Sequence, residues 1–360
     1  MTAMSDQELL DRAKRAARGF ALPEDRFDDL LHRRDRKRRN QRIAAGVVGI
    51  AVFVAAVWFV TTGGPFTRTQ QPAVQPTPTL PAGTALDYLF DLNTGEMTQL
   101  PKSIAGTGQF GGSEYAVSPE GTKVAYTSYD DAGKGQVFIA SLDGTDVQQV
   151  THDQRGAAAP DWSPDGSAIA YMSMGDRDVS NIFVLDLATS ETSQVTNEKP
   201  SSAEGCLSCP LGAAFPQFSP DGASIVYDHH RGASVGVQIV PVTGGKSVLL
   251  VGGGKNDIEA GLGRLSPDGS TLAVECSGRL EGICIAHADG TNLSALVSDP
   301  SSSGPMWSPD GTRIAYNNQA TGNKVFVVDV ATGETTFVAE GIAFDWLDDH
   351  TLIVEALPPA

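Results

Sequence analysis

The sequence predicts an all-β protein: a six-bladed propeller, preceded by a short helical tail and one transmembrane helix. Three observations carry this expectation. One unit recurs five times, as VSPEGTKVAYTS (Val117–Ser128), WSPDGSAIAYMS (Trp162–Ser173), FSPDGASIVYDH (Phe218–His229), LSPDGSTLAVEC (Leu265–Cys276) and WSPDGTRIAYNN (Trp307–Asn318). The prolines Pro119, Pro164, Pro220, Pro267 and Pro309 follow at steps of about 45, 56, 47 and 42 residues, the period of a four-stranded propeller blade. Finally, LDYLFDLNTGEMTQLP from Leu86 matches the second half of a repeat, and FDWLDDHTLIVEA from Phe344 matches the first half. Two strands from each end make one composite blade, which hides the sheet edges an open array would expose.

Each repeat justifies four strands in order. Strand A ends at the aromatic or apolar residue before Ser-Pro-Asp-Gly. That tetrapeptide is a turn: proline presets φ, aspartate bonds its own backbone, and glycine tolerates φ > 0. Strand B follows as a short apolar run such as Ile314-Ala315-Tyr316. Strand C is the run typified by VFVVDVATG, and strand D follows the Thr-Gly turn. Because strands alternate in direction, the Ser-Pro-Asp-Gly and C–D turns share one face, and the B–C and D–A loops share the other. The second face carries the irregular stretches 152–159, 197–214, 228–236 and 252–263. Binding usually belongs to variable loops on a rigid scaffold.

Ahead of the propeller the chain divides by composition. Residues 1–42 form a polar, basic tail in which Leu9, Leu10, Ala13, Ala16 and Ala17 share a helical face. Residues 43–62 are apolar and follow seven Lys/Arg within 33–42, which predicts an uncleaved membrane span with a cytoplasmic N-terminus. Residues 63–85 are rich in proline and threonine and read as a semi-rigid stalk. The propeller occupies 86–356. Residues 1–68 carry 13 Lys+Arg against 8 Asp+Glu, a net of +5; subtraction from 26 and 43 leaves 13 against 35, a net of −22. So acidic a body argues against nucleic acid as its partner.

The repeats resemble those of TolB-like proteins, with their W/F-SPDG-x-x-I-A-Y core, over roughly residues 86–356. The resemblance implies a six-bladed propeller of the bacterial envelope that binds other proteins. A stalk and an anchor stand here where TolB has an additional α/β domain, so TolB's own partners do not transfer. Fold alone does not fix function.

Sequence motifs for chemistry are weak. Gly232-Ala233-Ser234-Val235-Gly236 fits G-x-S-x-G but falls between two strands, whereas a nucleophile elbow needs a strand–turn–helix. Gly252-Gly253-Gly254-Lys255 lacks P-loop spacing. Cys276 and Cys284 end one strand and begin the next, which predicts a disulfide; closing so short a loop contributes roughly 2.5 kcal/mol on the chain-entropy model. Cys206 and Cys209 predict a second, local disulfide. The rival reading, a zinc site from Cys206, Cys209, His229 and His230, matches no finger spacing. Trp162, Phe218, Trp307 and Trp346 recur at equivalent positions and read as packing residues.

The expected function is a non-catalytic binding module without cofactor or metal. Its partner is an envelope protein, peptide or glycan, contacted by His229, His230 and Arg231 on the loop face. A signalling role, with the tail engaging a cytoplasmic partner in the manner of an anti-sigma regulator, is the alternative.

Overall fold

The computed structural model describes residues 86–104, 115–174, 179–199, 211–231, 234–320 and 322–356. The expected tail 1–42, apolar span 43–62, stalk 63–85 and the pair Cys206 and Cys209 lie outside the described residues. Among the described residues no helix is long and apolar enough to cross a membrane. This corrects the localisation: no described helix provides the span that a single-pass placement requires, and that placement is withdrawn.

The described chain is all-β, with two 3₁₀ turns at Lys102–Ile104 and Lys255–Asp257. Strands β1 (Leu86–Asp91) and β2 (Met97–Gln99) come first. They are followed by β3 (Tyr115–Val117), β4 (Lys123–Tyr129), β5 (Gly135–Ser141) and β6 (Gln148–Gln149). Next are β7 (Ala157–Trp162), β8 (Ala168–Met174), β9 (Val179–Asp186) and β10 (Thr192–Gln194). Then come β11 (Leu211–Phe218), β12 (Ser224–Arg231), β13 (Ser234–Pro241) and β14 (Val248–Gly252). β15 (Ile258–Leu265), β16 (Thr271–Gly278), β17 (Gly282–His287) and β18 (Ser294–Val297) follow. The series ends with β19 (Ser302–Trp307), β20 (Arg313–Asn318), β21 (Lys324–Asp329), β22 (Thr335–Glu340), β23 (Ile342–Trp346) and β24 (Thr351–Ala356).

Each set of four consecutive strands from β3 onward pairs antiparallel in sequence order. The sets β7–β10 and β11–β14 are joined into one eight-stranded sheet by a parallel bridge between β9 and β11. The remaining sheet is composite, in the order β2-β1-β24-β23. There β1 pairs β24 from Leu86↔Ala356 to Asp91↔Thr351. First strands pack on first strands in succession: β3 on β7, β7 on β11, β11 on β15, β15 on β19, β19 on β23, and β23 back on β3.

The Ser-Pro-Asp-Gly copies fold alike for a local reason. In the second copy Gly166 N–H donates to the Ser163 carbonyl at 2.8 Å, with Gly166 at φ 70°. Asp165 Oδ1 accepts from the Ser163 hydroxyl at 2.7 Å and from Ser167 N–H at 3.0 Å. The Ser163 hydroxyl oxygen in turn accepts from Ala168 N–H at 2.9 Å, which starts the next strand. The serine hydroxyls are the main reason the Asp165 carboxyl is held down at about 2. Serine and aspartate thus form one closed network, and proline fills the slot that needs no donor.

The core is divided into layers between neighbouring sheets. One layer packs Tyr115, Val124 and Tyr126 against Phe344 and Ile353 of the composite sheet. The recurring tryptophans lie in these layers and also stitch them. Trp162 Nε1 donates to the Ala116 carbonyl, Trp307 Nε1 to the Arg264 carbonyl and Trp346 Nε1 to the Met306 carbonyl, each at 3.0 Å. An indole N–H is a single donor that needs a partner when buried.

Candidate functional site on the loop face

Position within a strand decides where the predicted contact residues go. The stretch 228–236 is not an irregular loop: β12 runs through Arg231 and β13 resumes at Ser234, in register from Asp228↔Val237 to Arg231↔Ser234. Side chains alternate across a strand, so the two adjacent histidines part company. His229 Nε2 lies 3.2 Å from Glu198 Oε2. His230, like Asp228 two residues before it, lines a cavity of about 430 Å³ on the loop face. Arg231 ends the strand, exposed, on the His229 side. The three residues are therefore not one patch, and only His230 faces the cavity.

The cavity is framed by β12, β15, β16 and the entry to β19. Asp228 is buried; its Oδ2 accepts from Leu262 N–H of the next sheet at 2.8 Å. Burial pushes Asp228 up to about 7, while the Leu262 and Gly263 N–H groups pull the other way. Burial likewise raises Glu275, which accepts a backbone N–H from Gly304. Glu259 Oε2 accepts from Val235 N–H at 2.7 Å and from the Ser234 hydroxyl at 3.1 Å. Ser234, the centre of the G-x-S-x-G match, thus bonds a carboxylate. His230 Nε2 is buried without a hydrogen-bond partner, 4.0 Å from Asp228 Oδ2. Burial, and secondarily His229, holds the His230 imidazole below its usual range.

Asp228 and Glu275 sit at repeat-equivalent positions, one residue after the strand-B aromatic or its replacement. The same column holds Thr127, which accepts from Ala159 N–H at 3.2 Å, and Asn317, which accepts from Ala343 N–H at 2.8 Å. Each therefore caps a bulge on the first strand of the following sheet. At these bulges Ala159, Leu262 and Gly304 carry φ of 52°, 50° and 62°. In four of the five internal copies the sequence shows a polar residue here inside an apolar strand, the second having Met172 instead, but the bulge it caps lies in the next sheet and has no local signal.

Further cavities lie elsewhere among the described residues. One of about 840 Å³ opens between the β3–β6 and β7–β10 sheets, beside Trp162, Tyr171 and Phe183 and the short outer strands β6 and β10. Another, about 250 Å³, lies near the Ser-Pro-Asp-Gly turns between first strands, lined by Asp161, Gln217, Arg264 and Asp345. Cys276 and Cys284 are disulfide-bonded across the β16–β17 hairpin, with Cα atoms 6.0 Å apart. Among the described residues no group of three or more His, Cys, Asp or Glu side chains is placed to hold a metal ion.

Known proteins resemble this arrangement at the level of fold. The putative TolB from Agrobacterium tumefaciens superposes with a TM-score of 0.59 at 17% identity, over 77% of this chain and 100% of that one. TolB from Acinetobacter baumannii gives 0.53 at 16%, over 76% and 64%. Hydrazine synthase from Kuenenia stuttgartiensis gives 0.55 at 13%, over 77% and 47%. No curated protein sequence matches the chain. The sequence pattern of the TolB beta propeller domain matches residues 114–335, most of the described repeats, and the chain belongs to that family.

Proposed function

We propose that the chain is a six-bladed propeller that binds a protein or peptide through its loop face and carries out no catalysis. Four-stranded sets closed by a composite sheet support the blade count. Kinship with TolB propellers supports protein binding. The observation that carries the reading is the asymmetry of the two faces. On the turn face, Asp165, Asp221 and Asp268 are solvent-exposed, and each serves its own turn through serine and backbone donors. The loop face holds a cavity where three carboxylates converge and where His230 Nε2 is buried without a hydrogen-bond partner.

The test is site-specific photo-crosslinking of the full chain in cells, with the reactive residue at exposed Gln319 on the cavity rim or at exposed Thr332 in a C–D turn. Adducts from Gln319 and none from Thr332 are expected. Adducts from Thr332 alone place the partner on the opposite face and overturn the reading.

A further inference from the structure

We propose that the loop-face cavity receives a cationic side chain, a guanidinium or primary ammonium, presented by the bound protein segment. This rests on the loop-face reading and adds the chemistry of the group recognised. Three features converge. First, among the described residues no lysine or arginine lines the cavity, and carboxylates reach it from three strands: Asp228 on β12, Glu259 on β15 and Glu275 on β16. Second, the chain donates little to them. Asp228 and Glu275 take backbone N–H donors, and Glu259 takes one N–H and one hydroxyl. An ionised carboxylate has about four acceptor positions, so each keeps capacity toward the cavity. Third, His230 Nε2 is buried there with no hydrogen-bond partner, its nearest carboxylate oxygen being Asp228 Oδ2 at 4.0 Å. A buried polar atom left unpaired costs free energy that a ligand group recovers on binding.

Size and walls fit the same ligand. A volume of about 430 Å³ falls within the usual range for ligand pockets. Phe215, Val235, Ala260 and Ile342 also line it, giving an apolar passage for the methylene stem of a long cationic side chain. A donor-rich head beyond an apolar stem is the pattern of arginine and lysine. An anion would meet three carboxylates, and a neutral apolar group would strand them unpaired.

The experiment uses full-length protein and amide NMR. N-acetyl-arginine amide is titrated beside N-acetyl-citrulline amide, which has nearly the same shape without the charge. Putrescine represents a free diamine, and calcium chloride a bare cation. The arginine compound is expected to shift the Leu262, Val235 and Gly304 amides, whose N–H groups face the three carboxylates, and to bind at least tenfold more tightly than citrulline. Glu275→Gln and, independently, Glu259→Gln are expected to weaken it at least tenfold, with spectra of the folded protein retained. Asp289→Asn, on the turn face, is expected to leave it unchanged.

Equal binding of citrulline, or arginine-induced shifts confined to turn-face amides, overturns the proposal. Tighter binding of putrescine or calcium than of arginine overturns the assignment to a protein side chain. Gln319 crosslinks without any arginine effect sink the cation site and leave the binding face standing. Arginine binding at these amides with crosslinks only from Thr332 does the reverse.

Discussion

Asp345 Oδ2 accepts the Val117 backbone N–H at 2.8 Å, joining residues 228 positions apart across the junction of the composite sheet and the β3–β6 sheet. The same device recurs elsewhere: Asp161 accepts from Phe218 N–H at 2.7 Å, and Gln217 from Leu265 N–H at 2.9 Å. A side chain just ahead of one turn thus anchors the strand end ahead of the next.

Closure is the first thing to test. Asp345→Ala leaves the Val117 N–H without its acceptor, and an unsatisfied buried donor costs about 1–3 kcal/mol. Asp345→Asn keeps an oxygen there and is expected to lose much less. Urea unfolding of the three proteins measures the difference. Deleting 86–101 removes β1 and β2 and bares the edge of β24, so aggregation or loss of cooperative unfolding is expected. A monomeric deletion variant with unchanged Tm contradicts the composite sheet.

Asp161 makes stability depend on pH. Burial pushes it up to about 7, against the pull of Arg264 and the Phe218 N–H. Its folded pKa lies above the unfolded value of about 3.9. The folded chain therefore holds the proton more tightly, and this contribution is full below the unfolded pKa and lost as pH rises through about 7. Asp228 acts in the same direction. Tm should fall between about pH 5 and about pH 8, a window above the titration of the turn aspartates. Asp161→Asn should flatten that fall and raise Tm at the upper end. A steeper fall in the variant refutes the assignment.

Much of this was legible in the sequence because it is local. Ser-Pro-Asp-Gly specifies its turn within six residues, so the repeats and the half-repeats at Leu86 and Phe344 could be read directly. What escaped depends on partners in the next sheet. The column Ala116, Asp161, Gln217, Arg264, Met306 and Asp345 looks featureless along the chain, yet Asp161, Gln217 and Asp345 act between sheets. Reading 228–236 as a loop groups His229, His230 and Arg231; the stretch is strand through Arg231, and alternation along β12 sends the two histidines to different surroundings. Bulges with positive φ at Ala159 and Leu262 carry no glycine signal, since Thr127 and Asp228 of the preceding sheet hold them.

The Cys276–Cys284 bond should act on the β16–β17 hairpin. A short closed loop contributes roughly 2–3 kcal/mol on the chain-entropy model. The double variant Cys276→Ala and Cys284→Ala should be less stable to urea by about that amount, and reductant should destabilise the native protein more than the double variant. A reductant effect on both alike assigns the loss to another bond.

Gly212 should tolerate no side chain, and the reason lies in how two sheets join. The β9–β11 bridge aligns Leu211 with Val179 and Gly212 with Ser180, the parallel contact that merges two four-stranded sets. Gly212 has φ 98°, a region that L residues rarely adopt. A Cβ there would also stand 2.2 Å from the Ser180 carbonyl oxygen and 2.8 Å from its amide nitrogen. Both atoms are backbone, so no side-chain rotation relieves the overlap. Gly212→Ala is expected to cost about 3 kcal/mol or more, combining strain with loss of the bridge. Gly333→Ala is the comparison: it shares positive φ, 71°, but meets nothing within 4 Å, so only the conformational cost of about 1–2 kcal/mol applies. Hydrogen exchange at the Ser180 and Gly212 amides, with urea unfolding of both variants, separates the two terms. Equal destabilisation of the two variants would show that conformation alone matters and that the close approach of β9 to β11 does not.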